Sequence, residues 1–158
     1  MSKRRFNRKE RSEFDQKLLE LARVTRVVKG GRRFRFRAVV IAGNRNGKIG
    51  VGIAKGADVS EAVRKGFNDA KKNMVQIKRF NNTIACDVEA KLGSAKVMLK
   101  PARPGRGIVA GGAVRAVVEL SGIRDIVSKS LGSANKLSLA RATVKALENV
   151  KVLSGKGK

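Results

Sequence analysis

Apolar and polar positions change period several times along this 158-residue chain, and each change marks an element. Phe14, Leu18, Leu21 and Ala22 fall on one helical face behind Ser12 and Asp15, which resemble a capping box; the spacing predicts a short helix over about 12–22. Lys29-Gly30-Gly31-Arg32-Arg33 then reads as a turn, because paired glycines adopt backbone angles other residues avoid. From Arg33 to Arg37 the alternation has period two and runs on into apolar Ala38–Ala42. A strand results, with Phe34 and Phe36 on one face and Arg33, Arg35 and Arg37 on the other; the phenylalanines could stack bases, but the apolar run that follows favours the core for both. Asn46-Gly47 closes a hairpin. Its return strand, Lys48–Lys55, buries Ile49, Val51 and Ile53, while Gly50, Gly52 and Ala54 form a small face expected to admit RNA or a close neighbour. Asp58-Val59-Ser60-Glu61 starts a helix carrying Val59, Ala62, Val63, Phe67, Ala70 and Met74 inward, with Arg64, Lys65, Lys71 and Lys72 outward. The first half thus reads helix–strand–strand–strand–helix.

Residues 78–82 look like a linker. Beyond them Ile84, Cys86, Val88 and Ala90 alternate with polar positions, as do Val97 and Leu99 after a Leu92-Gly93-Ser94 turn, predicting two antiparallel strands. Pro101 and Pro104 open a glycine- and arginine-rich loop ending at Gly111-Gly112. Ala113, Val114, Val117, Val118 and Leu120 make a short helix stopped by Gly122; Ile123–Ser128 suits a strand; Leu137, Ala140, Val144 and Leu147 give a final helix. The fold class is α+β without internal repeat: a basic arm over 1–11, one domain over 12–78, a linker over 79–82, a second domain (ββ-loop-αβα) over 83–153, and a tail over 154–158.

Charge decides what such a chain can partner. Lys and Arg total 37 against 12 Asp and Glu, a net +25, which repels itself unless a polyanion neutralises it. Lys3, Arg4, Arg5, Arg8, Lys9 and Arg11 make the leading arm basic, opposed only by Glu10. No apolar run reaches the ~20 residues of a membrane span, so a membrane partner is not expected. The single cysteine, Cys86, reads as a small buried hydrophobe; it excludes an internal disulfide and fits the cytosol. With no histidine and no close pair among the five acids beyond position 80, neither catalysis nor a metal or cofactor site is expected.

Two motifs imitate nucleotide chemistry. Gly105-Arg106-Gly107-Ile108-Val109-Ala110 matches a dinucleotide fingerprint, with Asp125 near the place of a ribose-binding acid. The intervening prolines and the lack of further βα units argue against an enzyme and for a glycine loop before a helix. Gly43–Lys48 is one residue short of a phosphate-binding loop and reads as a hairpin turn. The sharper constellation lies between Arg23 and Arg37: seven basic residues without an acid, four of them arginines after Lys29, suited to forked phosphate contacts. Candidate RNA-binding residues are Arg23, Arg26, Lys29, Gly30, Gly31, Arg32, Arg33, Arg35 and Arg37, with Arg45, Lys48, Lys55, Lys71 and Lys72. A free-standing architectural nucleic-acid-binding protein is the nearest rival to a built-in structural role.

Several longer motifs carry a resemblance. Lys29-Gly30-Gly31-Arg32-Arg33-Phe34, Ala70-Lys71-Lys72-Asn73, Ala110–Val117, Gly132-Ser133 with Asn135, and Ala142-Thr143 before Ala146-Leu147 stand in order and in register over about residues 18–150. In these the chain resembles bacterial small-subunit ribosomal protein five. That resemblance implies a first domain of the double-stranded-RNA-binding type (α-β-β-β-α) and a small α/β second domain. It further implies small-subunit ribosomal RNA, ribosomal proteins four and eight, and messenger RNA at the entry path as partners, roles in assembly and decoding accuracy, and a cytoplasmic, ribosomal location. The Lys29–Arg33 loop corresponds to one where changes give spectinomycin resistance. Lys100, Arg103, Gly105, Arg106, Gly107 and Arg115 correspond to the protein-facing surface. Cys86 stands where the family usually has histidine, Arg106 where it has threonine, and Ser138 where Asn is common.

Overall fold

The computed structural model describes residues 13–150, so the leading arm, the proposed cap at Ser12 and the tail lie outside the described residues. In chain order the elements are β1 (Asp15–Val28), β2 (Gly31–Gly43), β3 (Lys48–Gly56), α1 (Val59–Lys72), β4 (Val75–Gln76), β5 (Val88–Leu92), β6 (Ala95–Pro101), β7 (Ile108–Val109), α2 (Gly112–Ser121), β8 (Ile126–Ser130) and α3 (Lys136–Glu148). Two four-stranded sheets form, ordered β1-β2-β3-β4 and β5-β6-β8-β7. Only β7 runs parallel to its neighbour, β8.

The helix expected over 12–22 is instead the first part of β1. Leu18 pairs with Val40, Glu20 with Val39 and Leu21 with Ala38, so the register slips by one residue at Leu19. A bulge of this kind puts Leu18 and Leu21 on the same strand face at a spacing of three, which imitates a helical repeat. The β-branched residues Val24, Thr25, Val27 and Val28 favour the extended form, and pairing against β2 satisfies the backbone through Val28. The first half is therefore β-β-β-α, closed by the short β4.

The first sheet is covered on both faces. Ala38 and Val40 of β2 lie under α1 with Ala62, Val63 and Phe67. Val39 and Ile41, pointing the other way, join Ile49 and Val51 in a cluster that continues through α2 and α3 to Ala90, Val97, Leu99 and Ile126 of the second sheet. One hydrophobic core thus spans both halves. Its centre is α2, where Val114, Ala116, Val117, Val118 and Leu120 are all buried and Arg115 and Glu119 remain outside. A helix apolar around most of its circumference packs on two sides at once.

Gly50 and Gly52 do not face a partner molecule. A Cβ at Gly52 would overlap the Gly66 carbonyl oxygen and the Ala70 nitrogen, and one at Gly50 the Ala70 carbonyl oxygen. The close backbone approach expected there is made by α1 of the same chain. The Asp58 side chain makes no cap bond; Glu61 accepts from Ala57 N–H at 2.8 Å instead. Asp69 Oδ2 accepts from Ile53 N–H at 3.0 Å and ties the helix to β3.

The segment expected as a linker also acts as a clamp. Arg79 Nη1 donates to the carbonyls of Arg45 (3.4 Å) and Gly122 (3.2 Å), and Nη2 donates to Asn46 Oδ1 at 2.8 Å. Beyond it, β5 begins only at Val88; Ile84 is buried without joining a strand, and Cys86 is half-buried against the core. β8 likewise starts three residues later than expected, at Ile126, because Arg124 and Asp125 N–H groups are taken by the Asn82 carbonyl at 2.9 and 3.0 Å. The family-like motifs have structural work: Asn135 caps α3 by accepting from Leu137 N–H at 3.1 Å, Ser133 N–H donates to Ser94 O at 3.0 Å, and buried Thr143 donates to Leu139 O at 2.7 Å.

Replacing Gly52 by alanine is expected to destabilise the isolated protein by roughly 1–3 kcal/mol or more, since both clashing atoms are backbone; a urea midpoint equal to the parent's would contradict this packing. Arg79→Ala should cost about 1.5–3 kcal/mol in the same titration, with Arg79→Lys restoring little because an ammonium cannot span all three acceptors. Full recovery by lysine would reduce the clamp to a simple charge effect.

Candidate nucleic-acid interface

The strands β1 and β2 are longer than the sheet they start. β3 ends at Gly56, paired with Phe36, so beyond that point β1 and β2 continue alone as a two-stranded ribbon to the turn at Lys29-Gly30. Gly31, at φ 138, supplies the backbone angle that closes the turn. Pairing of Val24 with Arg35 and of Arg26 with Arg33 places these four on one face of the ribbon, because partners in an antiparallel ladder share a face. Arg37 pairs with Lys55 on the same side.

The result is a concavity of about 310 Å³ lined by Val24, Thr25, Arg26, Arg33, Arg35 and Lys55. None of its four cations has an ion-pair partner among the described residues, whereas Arg37, at the ribbon's base, reaches Glu20 Oε1 at 3.3 Å. Four unpaired positive charges in one concavity hold a strong local potential and suit an anion carried by a larger body. The other face carries Arg23, Thr25, Val27, Arg32, Phe34 and Phe36. Here the expectation that both phenylalanines are core is half right. Phe36 packs against the Ala38–Val40–Ala62 cluster, but Phe34 is 48% exposed. α1 begins opposite Gly56 and Phe36, so Phe34 lies one pleat beyond its cover.

Other expected site residues lie elsewhere. Arg45 and Lys48 flank the β2–β3 turn, at the opposite end of the sheet, where Asn44 Oδ1 accepts from Asn46 and Lys48 N–H groups at 2.8 and 3.0 Å. That turn explains the imitation of a phosphate-binding loop. Lys71 and Lys72 end α1, with Lys71 Nζ lying 4.8 Å from the centre of the Phe67 ring and 5.4 Å from that of Phe14. The ribbon cations and these four do not form one patch.

A second concavity, about 440 Å³, opens where the halves meet, lined by Arg45, Ile108, Arg115, Glu119, Gly122, Ile123 and Arg124. It joins Arg45 to Arg115, which the sequence separates by the whole of α1 and the second sheet's first strands, and adds Arg124. Nothing in the linear pattern marks Arg124 out. Arg45 Nε meets Asp15 Oδ2 at 2.8 Å; Lys17 Nζ meets Glu119 Oε2 at 2.9 Å. The hydrogen bond and charge of Lys17 hold the Glu119 carboxyl below the usual carboxylate range. Arg115 and Arg124 have no ion-pair partner among the described residues.

The Gly105–Ala110 loop has its acid already engaged. Asp125, 5% exposed, accepts from Gly107 N–H at 2.8 Å, and Gly105 and Gly107 take φ of 86 and 77. This holds β7 beside β8 and leaves no carboxylate for a ribose. Lys100 meets Asp87 at 3.5 Å, while Arg103, Gly105 and Arg106 are exposed. Among the described residues no cluster of metal-ligating side chains occurs, and no helix is long and apolar enough to cross a membrane.

Comparison with known sequences fits both halves. The profile described as "Ribosomal protein S5, N-terminal domain" matches residues 14–78, and "Ribosomal protein S5, C-terminal domain" matches 90–154. The small ribosomal subunit protein uS5 of Campylobacter jejuni is 52% identical over 141 residues, covering 89% of this chain and 96% of that protein. Those of Thermotoga maritima and Thermotoga neapolitana are 51% and 50% identical over 138 residues, each covering 87% of this chain and 78% of the relative. With both halves matched, in order, and half of all aligned positions identical, this chain belongs to the ribosomal protein S5 family.

Proposed function

We propose that the chain is a non-enzymatic structural constituent of the small ribosomal subunit that binds small-subunit ribosomal RNA through its β1–β2 ribbon, and that it contributes to assembly and to accuracy near the messenger-RNA entry path. The observation that carries the RNA contact is the convergence of Arg26, Arg33, Arg35 and Lys55 without an ion-pair partner among the described residues. Folded RNA is recognised largely through its shape and its phosphates. A rigid ribbon narrower than a sheet reaches between phosphate ridges, and guanidinium forks fit phosphate oxygens two at a time. Lys29 and Arg32 extend the same positive field, while Lys71, Lys72 and Lys48 serve RNA approaching from the sheet's other end.

The concavity at Arg45, Arg115 and Arg124 has a different character. Its cations are mixed with Glu119 and apolar Ile108 and Ile123, the composition of a protein contact rather than a phosphate track. We assign it, with Lys100, Arg103, Gly105, Arg106 and Gly107, to neighbouring ribosomal proteins, of which four and eight are the expected ones. Their carboxylates would complete the ion pairs Arg115 and Arg124 lack. The two units, 12–78 and 83–153, would then divide the labour: RNA grip in the first, protein contact in the second and along the seam.

Two measurements test this reading. After a high-salt wash, sucrose-gradient sedimentation should find the chain in the small subunit; recovery in free fractions instead would favour a free-standing architectural protein. Removing Arg33 and Arg35 together by alanine should weaken binding to small-subunit RNA and flatten its salt dependence. Each phosphate that is no longer neutralised lowers the log–log slope by roughly 0.7–0.9. An unchanged slope would reduce these residues to a solvated face.

A further inference from the structure

The ribbon's second face carries something the phosphate reading does not use. Phe34 sits there 48% exposed, with the Arg23 guanidinium carbon 4.4 Å from its ring centre. Thr25 stands directly across the ladder from Phe34, and Val27, 75% exposed, pairs with Arg32 just beyond. No acid lies on this face of the ribbon. An aromatic ring left half-exposed on a strongly basic ribbon forgoes burial without an evident structural return, since Phe36 already closes the end of the core under α1. Its neighbours are two arginines, a threonine hydroxyl and an exposed valine, which together make a flat, partly apolar and cationic platform.

We propose that Arg23 and Phe34 form a stacking platform for one unpaired nucleobase of the RNA. The proposal rests on the RNA-binding reading above and adds to it a base contact. A base turned out of its helix presents a π-face on both sides, and it stacks on an aromatic ring or a guanidinium plane whatever its hydrogen-bonding edge. Arg23, already held over the ring by its quadrupole, presents such a plane. Thr25 and Arg32 follow on the same ladder face, and their polar groups are the ones available to a base edge or the adjoining phosphate. The opposite face, with Arg26, Arg33, Arg35 and Lys55, grips backbone at the same time. The ribbon would thereby sort RNA by whether an unpaired nucleotide stands beside a phosphate ridge, while remaining tolerant of which base it is.

Three synthetic RNA duplexes test this: one fully paired, one with a single bulged adenosine, and one whose bulged position is abasic. Binding is read by fluorescence anisotropy across a salt series. The bulged duplex should bind about five- to a hundredfold more tightly than the other two, the range that removal of one base–aromatic stack produces. Phe34→Leu should erase that preference and leave the salt slope for the paired duplex as it was, while Phe34→Tyr should retain the preference. Equal binding of bulged and abasic duplexes by the unaltered protein overturns the platform without any variant, as does a preference that survives Phe34→Leu. If the paired duplex binds with its salt slope and the preference is missing, the platform alone is wrong. If no duplex binds, the RNA reading fails and takes the platform with it.

Discussion

The end of α2 is the point on which the two halves depend. A helix leaves its last carbonyls without intrahelical donors, and burial makes that costly. Here the Leu120 carbonyl accepts from Arg45 N–H at 3.0 Å and the Ser121 carbonyl from Gly47 N–H at 3.1 Å, so the β2–β3 turn of the first half caps a helix of the second. Gly122 is left-handed at φ 83, and a Cβ there would overlap the Arg45 carbonyl oxygen, so the approach requires glycine twice over. Arg79 then bridges both sides of this seam with one guanidinium. Around it the core runs without interruption from Ile41 to Ile126. A chain with this excess of positive charge holds its halves together with backbone hydrogen bonds and apolar packing rather than with ion pairs; among the described residues one pair crosses the seam, Lys17–Glu119, and it is exposed.

That closed body positions the two charged surfaces. With the body closed by the seam, the ribbon projects from a sheet covered on both faces, and its cations are set by strand register instead of by loop conformation. Residues two apart on β2 are held on one side of the ribbon, so Arg33 and Arg35 share a face while Phe34 between them faces away. The seam concavity owes its arginines to the same construction: Arg45 comes from the capping turn, Arg115 from the exposed side of the capped helix, and Arg124 from the segment that follows Gly122.

Much of this was legible in the chain. The strand of Ala38–Ala42, the Asn46-Gly47 turn, the amphipathic α1, the two later helices and the α+β division all follow from local period and turn chemistry, and the arginine cluster follows from counting. What was hidden had physical reasons. The bulge at Leu19 disguised β1 as a helix, because it spaces Leu18 and Leu21 as a helix would. The glycines of β3 signalled a close approach but not its partner, which was the Gly66–Ala70 stretch of the same chain. Phe34 and Phe36 share a pattern and differ only in whether α1 reaches them, a matter of where a helix starts in space. Arg79 and Arg124 carry no local mark at all; Arg79 is placed by carbonyls 34 and 43 positions away, and Arg124 by the shape of a seam between halves. The resemblance to the family supplied the expected partners, where composition could only describe a polyanion.

The cap across the seam also imposes an order in time. Chains emerge from synthesis with their first residues leading, and domains tend to fold as they appear. When residues 13–78 are complete, the donors at Arg45 and Gly47 and the apolar side chains of Val39, Ile41, Ile49 and Val51 are without the helix that will cover them. The nascent first half is thus a sheet finished on its α1 side and raw on the other until Leu120 and Ser121 arrive. Over that interval its apolar face is uncovered beside a strongly basic segment, so a polyanion nearby can hold the unfinished chain apart from its copies before its own core is closed.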